Sequence, residues 1–300
     1  RSSLRAAIAE KMSLTSGVGI GPERVTVLAG AQNAFYSTCR CLFGPGDEVV
    51  VLDPAYVTYE ACIASTGATQ VRFQQPACSG FRPDIDQLGA SITSATRGIV
   101  FANPSNPTGV RFTGDELNAI ADIAIRNDLW VLVDEVYSDL VFDGVYQSIA
   151  GLPGMLERTV TVSSVSKSYA MTGWRCGWAV GPPALLHHLR RMTLITLYGL
   201  PGFVMEAANV AIREGSEEVA LARETYRRRR NLVLEILAGA RNLPTLVPEA
   251  GMFLMADVRA HNDDANVFAW NLYRSTGVSV LDAGAFGAAA RGWIRISYGI

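Results

Sequence analysis

Residues 98–134, GIVFANPSNPTGVRFTGDELNAIADIAIRNDLWVLVD, carry the pattern that decides the fold. The apolar run Gly98–Ala102 predicts a buried strand, the apolar spacing over Asp115–Asn127 predicts a helix, and Trp130–Asp134 predicts a second strand. The two Asn-Pro steps between residues 103 and 107 cannot continue regular structure. This order of elements predicts two parallel strands joined by a crossover helix.

The same alternation extends to both sides of this unit. Apolar strands that alternate with helices favour an α/β fold in which a mostly parallel sheet is covered by helices on both faces. The other predicted strands are Val25–Leu28, Glu48–Leu52, Thr69–Phe73, Thr159–Ser163 and Cys176–Val180. The other predicted helices are residues 1–12, Ala31–Phe43, Val57–Ser65, Asp84–Ile92 and a helical stretch from Pro183 to about Ala240.

The pattern changes beyond Pro244. Short strands are predicted at Met252–Val258, Val278–Leu281 and Trp293–Ser297, around one helix near Val267–Ser275. We therefore expect two domains. The large one takes residues 1–225, and a smaller C-terminal α+β domain takes residues 226–300.

Composition excludes several classes of protein. The 300 residues are 49% hydrophobic and 18% charged, with a net charge of -2, so disorder is not expected. This balance offers no positive footprint for nucleic acid. The basic run Arg227–Arg230 lies on a helix rich in Glu, and we expect it to be a solvated face.

Membrane, disulfide and metal signals are also weak. No run of about eighteen apolar residues is present to span a bilayer. The five cysteines include no C-x-x-C pair, which predicts buried thiols in a reducing compartment and a cytoplasmic protein. With only three histidines, two of them adjacent, we expect no metal site.

In open parallel sheets, ligands bind beyond the carboxyl ends of the strands, so polar residues that follow strands are the candidates. Gly30-Ala31-Gln32 opens a helix and could receive an anion or form a plain tight turn. Asp134 ends a very apolar strand. Its carboxylate must therefore be paired with a cation or several hydrogen-bond donors, or it must cap the N-terminus of a helix. Lys167 lies in a hydroxyl-rich loop between buried strands, where desolvation would make it an amine nucleophile.

Together these motifs resemble the fold-type I pyridoxal phosphate enzymes and, within them, the class I and II aminotransferases. The resemblance runs over nearly the whole chain and implies the aspartate aminotransferase fold. Its anchors are G-A-Q at 30–32, P-G-D at 45–47, D-P-A-Y at 53–56, N-P-T-G at 106–109, D-E-V-Y at 134–137, S-x-S-K-S at 164–168, G-W-R at 173–175 and I-R-I-S at 294–297.

The resemblance implies pyridoxal 5'-phosphate as the cofactor and a role for each matching residue. Lys167 would hold the cofactor aldehyde as an internal aldimine and move the substrate proton. Asp134 would pair with the pyridine nitrogen, which makes the ring an electron sink. Tyr137 and Asn106 would bind the ring oxygen, and Tyr56 would stack on the ring.

The resemblance also implies sites for the two anionic groups. Arg295 would grip the substrate carboxylate, together with Asn106, through paired hydrogen bonds. The residues expected around the cofactor phosphate are Gly30, Ala31, Gln32, Ser164, Ser166 and Arg175.

The implied reaction moves an amino group from an L-amino acid to a 2-oxo acid in a homodimer. A narrower resemblance, in stretches such as Ala170–Gly177 and Gly251–Met255, is to arginine–pyruvate transaminases, which suggests those two substrates. Asp282 could face a guanidinium group or form a turn. The alternatives are a β-lyase of the same fold and, at lower rank, the ligand-sensing domain of a transcription regulator.

Members of this family carry segments that this sequence does not contain. An N-terminal arm and a first strand precede the helix that begins here, and further helix follows the strand with Arg295. We therefore expect the 300 residues to be part of a longer chain.

Overall fold

The computed structural model describes residues 2–299, and Arg1 and Ile300 lie outside the described residues. One large sheet holds seven strands: β1 (Val25–Leu28), β2 (Glu48–Asp53), β3 (Thr69–Gln74), β4 (Thr96–Ala102), β5 (Trp130–Asp134), β6 (Thr159–Ser164) and β7 (Gly177–Val180). Their order across the sheet is β1-β7-β6-β5-β4-β2-β3. Neighbours from β6 to β3 are parallel, whereas β7 is antiparallel to both β1 and β6. The expected mostly parallel sheet is confirmed.

Helices cover both faces of this sheet: α1 (Ser2–Ser16), α2 (Ala31–Leu42), α3 (Tyr59–Ala64), α4 (Ile85–Ala90), α5 (Gly114–Arg126), α6 (Pro183–Thr196) and α7 (Gly202–Glu214). The long helix α8 (Ser216–Ala238) packs against α7 and against the 3-10 turn Ser138–Leu140. Alternate residues of β2 enter two different cores. Val49 and Val51 pack with α2, and Val50 and Leu52 pack on the side of α5. Burial on both faces explains why the strands are continuously apolar.

The capping box of α5 shows how a local sequence pattern sets a boundary. Thr113 accepts the backbone N–H of Glu116, and the Glu116 carboxylate accepts the backbone N–H of Thr113. This T-x-x-E pattern satisfies two groups that a helix start would leave unpaired. The cap fixes the loop that connects β4 to α5.

A smaller antiparallel sheet follows in the chain. Its strands are β8 (Thr245–Leu246), β9 (Phe253–Asp257), β10 (Leu281–Asp282) and β11 (Trp293–Ser297), in the order β10-β11-β9-β8, with α9 (Ala265–Thr276) alongside. The predicted strand Val278–Leu281 is largely wrong because the N–H of Val278 is donated to Thr276 at the end of α9. The two-residue β8 was not predicted.

Two other expectations need correction. The helical stretch after Pro183 is three helices, which break before α7 at Pro201 and before α8 at Gly215. The solvated face expected at Arg227–Arg230 is wrong for Arg230, which is 6% exposed and binds the Asp143 carboxylate and the Pro248 carbonyl. Among residues 2–299, no helix has the length and apolar content needed to cross a membrane.

Candidate active site

The carboxyl ends of β4, β5 and β6 and the N-terminus of α2 surround a cavity of about 410 Å³. The last residue of each of these strands, Ala102, Asp134 and Ser164, lines it. Parallel strands end at the same edge of a sheet, which brings the loops that follow them together. The cavity is lined by every predicted site residue except Gly30: Ala31, Gln32, Tyr56, Asn106, Asp134, Tyr137, Ser164, Ser166, Lys167, Arg175 and Arg295.

Gly30 lies behind Arg175 at one end of the cavity. It has φ +86, and a Cβ built on it would lie 2.5 Å from a guanidinium nitrogen of Arg175. Arg175 itself adopts a left-handed φ of 52 and donates to the carbonyl oxygen of Thr172 at 3.0 Å. A residue larger than glycine at position 30 would therefore push this cation out of place.

The groups around Arg175 form a cradle for an anion. The twelve-residue helix α2 begins at Ala31, and no side chain caps it, so its first N–H groups are free to meet a ligand. Ser164 and Ser166 are buried at the same end of the cavity. A helix N-terminus, two hydroxyls and a guanidinium are a donor set suited to a phosphate group.

Asp134 lies at the carboxyl end of β5 and is hydrogen-bonded by Tyr59, a residue that the sequence analysis did not predict in the site. Its carboxylate accepts the hydroxyl of Tyr59 at 2.8 Å and the backbone N–H of Val136 at 3.1 Å. Loss of solvation raises the pKa of Asp134 to about 6, against the opposing effect of these two donors and of Lys167. The carboxylate is thus ionised at neutral pH at a cost in free energy.

This cost gives a prediction for the protein free of ligand. A carboxyl whose pKa is raised on folding destabilises the folded state as pH rises from the unfolded value through about 6. We expect Asp134→Asn to be about 3 kcal/mol more stable than wild type at pH 8 and close to it in stability near pH 4. Urea unfolding at both pH values measures the difference. Tyr59→Phe, which removes a donor to the carboxylate, should be less stable than wild type at pH 8, and the reverse order would contradict the account.

The chain contains two lysines, and their surroundings are opposite. Burial lowers the pKa of Lys167, as do Arg295 and Arg175, while Asp134 raises it. Burial alone would lower the pKa of Lys11 too, but Asp139 and Tyr169 outweigh burial, and its Nζ lies 2.7 Å from the Asp139 carboxylate. Lys167 is therefore the lysine suited to act as an amine nucleophile.

Arg295 enters the cavity from β11 of the small sheet. One of its terminal nitrogens donates to the side-chain oxygen of Asn106 at 2.9 Å. The guanidinium carbon lies 5.2 Å from the ring centre of Phe253 and 4.9 Å from that of Phe286. Its Nε is buried, with no hydrogen-bond partner among residues 2–299. A buried, unsatisfied donor beside an amide fits a carboxylate ligand.

Sequence reasoning missed part of the lining. The ring of Tyr59 stacks on that of Phe35 with centres 4.1 Å apart, and Phe253 packs edge-on against Tyr137 at 5.3 Å. The position of Tyr59, three residues after Tyr56 at the start of α3, was a signal for it. Phe253 gave no signal, because an apolar residue in a strand is typical of any core.

Asp282 lies outside this cavity. Its carboxylate accepts the backbone N–H of Gly284 at 2.8 Å and begins a 3-10 turn over Ala283–Phe286. Of the two roles considered for Asp282, the structure therefore shows the turn.

The model of the family described as aminotransferase class I and II matches residues 1–300. The chain belongs to this family. The aminotransferase is 46% identical over 293 residues to an arginine–pyruvate transaminase of Pseudomonas aeruginosa, a match that covers 98% of this chain and 75% of that relative. The predicted family, and with it an aminotransferase enzyme, is confirmed.

Solved structures agree with the fold. The aminotransferase superposes on an aromatic aminotransferase from Pyrococcus horikoshii with a TM-score of 0.96 at 34% identity, covering 100% of this chain and 80% of that one. For an aspartate aminotransferase from Thermus thermophilus with maleate, the TM-score is 0.95 at 32% identity, with 100% and 78% covered. The expected aspartate aminotransferase fold is confirmed.

Proposed function

We propose that the protein is a pyridoxal phosphate-dependent aminotransferase that moves the amino group of L-arginine to pyruvate. The observation that carries the proposal is the convergence of Lys167, Asp134 and Arg295 with an anion cradle in one cavity. When bound, pyridoxal phosphate supplies an aldehyde that condenses with amines and a ring that accepts electrons from the substrate Cα.

The residues of the cavity fit this cofactor. The absent Cβ of Gly30 leaves Arg175 beside the N-terminus of α2, where the phosphate would be held by Arg175, by Ser164 and Ser166, and by the N–H groups of Ala31 and Gln32. The Gln32 side chain is already bound to Thr58 and Cys62, so its backbone is the part left for the ligand.

Four residues would set the protonation and hydrogen bonding of the reacting groups. Asp134, fixed by Tyr59, would keep a proton on the ring nitrogen, because an ionised carboxylate stabilises the protonated ring. The Nζ of Lys167 would take the proton from the substrate Cα and return it. Tyr137 and Asn106 would hydrogen-bond the ring oxygen, and burial raises the pKa of Tyr137, which keeps its hydroxyl protonated as a donor.

The remaining residues would orient the ligands. Tyr56 lines the cavity and would stack on the ring. Arg295 would bind the α-carboxylate of the amino acid through its unsatisfied Nε, with Asn106 beside it. Both anionic groups of the complex would then have a guanidinium partner.

The choice of substrates rests on the 46% identity to an arginine–pyruvate transaminase and on the charges of the lining. Each of its cations, Lys167, Arg175 and Arg295, already has a proposed partner. Among the lining residues of the described chain there is no fourth cation for a second carboxylate. This supports a donor other than aspartate or glutamate.

The experiment separates the two half-reactions. Full-length protein loaded with pyridoxal phosphate is mixed with excess L-arginine and no oxo acid, which should convert the bound cofactor to pyridoxamine phosphate. Added pyruvate should restore the aldehyde form and yield L-alanine. Conversion by L-aspartate but not L-arginine would overturn the substrate choice, and no conversion by any amino acid would overturn the aminotransferase proposal.

The protein would have two domains and lie in the cytoplasm. Residues 1–225 would form the large cofactor domain and residues 226–300 the small one, with α8 passing from one to the other. The five cysteines are free thiols, as a protein of the reducing cytoplasm would have. The expectation that the thiols are buried is wrong for Cys78, which is exposed, and for Cys41, which is partly exposed.

The oligomer would be a homodimer through an apolar patch formed by Leu194, Ile195, Tyr198 and Phe203. These side chains are exposed at the end of α6 and the start of α7. An apolar surface of this kind is typical of an interface. We expect Phe203→Glu to weaken self-association at least about 100-fold in sedimentation equilibrium. Val145→Glu, at an equally exposed apolar residue outside the patch, is the control, and a Phe203→Glu protein that dimerises normally would refute this interface.

A further inference from the structure

The turn after β2 touches the segment that precedes β11. The backbone N–H of Ala55 donates to the Phe286 carbonyl oxygen at 2.9 Å, and the Arg72 guanidinium donates to the same oxygen at 3.4 Å. The carbonyl oxygen of Phe286 is thus held by two donors, one in the turn after β2 and one on β3. Its ring lies 4.9 Å from the guanidinium carbon of Arg295.

Asp53, the last residue of β2, lies beneath this contact. It is fully buried, and its carboxylate lies 3.5 Å from Arg72 and faces the backbone N–H groups of Ala288 and Ala289. It has no close hydrogen bond within residues 2–299. A buried carboxylate with so few partners costs stability, so packing alone does not explain it.

Gly287 shows how tightly the two parts fit. It has φ +147, a conformation that favours glycine, and a Cβ built on it would lie 1.6 Å from a carboxylate oxygen of Asp53. The backbone next to Phe286 is therefore pressed against Asp53.

We propose that Asp53 is a positioning residue that sets the segment 286–289, and through Phe286 the guanidinium of Arg295, for the substrate carboxylate. This inference rests on the proposed function. Asp53 does not line the cavity, so it acts through Phe286 and not by contact with substrate or cofactor. Asp53 is followed in the same turn by Tyr56, which lines the cavity. This turn would therefore position both Tyr56 at the cofactor ring and, through Phe286, Arg295 at the substrate carboxylate.

The test is Asp53→Asn in the full-length protein loaded with pyridoxal phosphate, titrated with 2-methylalanine, which has the α-carboxylate but no Cα proton. We expect the dissociation constant to rise about 10-fold, because small misplacements of a binding group have large effects. The melting temperature should not fall, since a poorly satisfied buried charge is removed. Amide exchange at 286–289 should be faster in the protein without cofactor.

Glu60→Gln is the matched control, because Glu60 is the other carboxylate bound to Arg72 and, within the described residues, it has no hydrogen bond to the segment 286–289. Its dissociation constant should equal that of wild type. Phe286→Leu should raise the constant as well, and Asp53→Asn should add little to it in the double variant. If the increase in the dissociation constant of the double variant equals the product of the two single increases, the two residues act independently and the proposal is overturned.

Other outcomes are equally decisive. A folded Asp53→Asn protein that binds 2-methylalanine as wild type does refutes the positioning role. If that variant does not fold, Arg72→Gln, at a partly exposed side chain, is expected to weaken binding in the same way, and unchanged binding there refutes it too. A wild-type protein that reacts with no amino acid would instead refute the proposed function.

Discussion

Turnover should fall by roughly 10⁴-fold or more in Lys167→Ala, because under the proposed function the variant lacks both the amine that would bind the cofactor and the group that would move the Cα proton. The cradle around Arg175 does not involve this side chain, so we expect pyridoxal phosphate still to bind, non-covalently. Steady-state formation of L-alanine from pyruvate measures the loss.

Lys11 provides the matched control, as the second lysine of the chain. Borohydride reduction of the loaded protein followed by peptide mass spectrometry should find the cofactor on Lys167 and none on Lys11, whose amine is held by Asp139. Lys11→Ala should keep covalent binding. Cofactor attached to Lys11, or full turnover without Lys167, would contradict the assignment.

The second large effect is expected for Arg295→Ala. Its kcat/KM for the amino donor should fall about 10³-fold, since a buried guanidinium that pairs with a carboxylate contributes several kcal/mol. Bound cofactor should keep its visible absorption, because the anion cradle around Arg175, which would hold its phosphate, does not include Arg295. Initial rates over a range of L-arginine concentrations give the value.

Two further variants sharpen this result. Arg295→Lys should recover only part of the loss, because an ammonium group cannot make paired hydrogen bonds. Arg291→Ala removes an exposed arginine from the same segment and should leave kcat/KM unchanged. An Arg295→Ala protein with wild-type KM would assign the carboxylate to another residue.

The residues at strand ends could be predicted because their position depends on sequence order alone. Apolar runs mark the strands, and in a parallel sheet the next polar residue must lie at the common edge, as Asp134 and Ser164 do. The antiparallel direction of β7 could not be predicted in the same way, because the residues of a strand do not indicate whether it runs parallel or antiparallel to its neighbours. The short connection from Ser164 to Gly177, without an α-helix, was the available signal for an antiparallel neighbour.

Side-chain partners from distant segments could not be predicted. Arg230 is buried because Asp143, 87 positions earlier, meets it, and Tyr59 reaches Asp134 across 75 positions. The periodicity of a sequence indicates which face of a helix is apolar, but it does not indicate which polar side chain from another segment will contact that helix. The same holds for Asp53 and Gly287, whose contact joins the two sheets.

The position of β7 has a consequence for synthesis of the protein. Its residues pair with β1 across about 150 positions, Val180 opposite Val25, and insert between β1 and β6. A growing chain that has not yet released residues 175–180 from the ribosome leaves β1 without a strand neighbour and β6 paired with β5 alone, and it lacks Arg175. The nascent protein therefore cannot assemble the anion cradle early, and under the proposed function cofactor capture would wait until the sheet is complete.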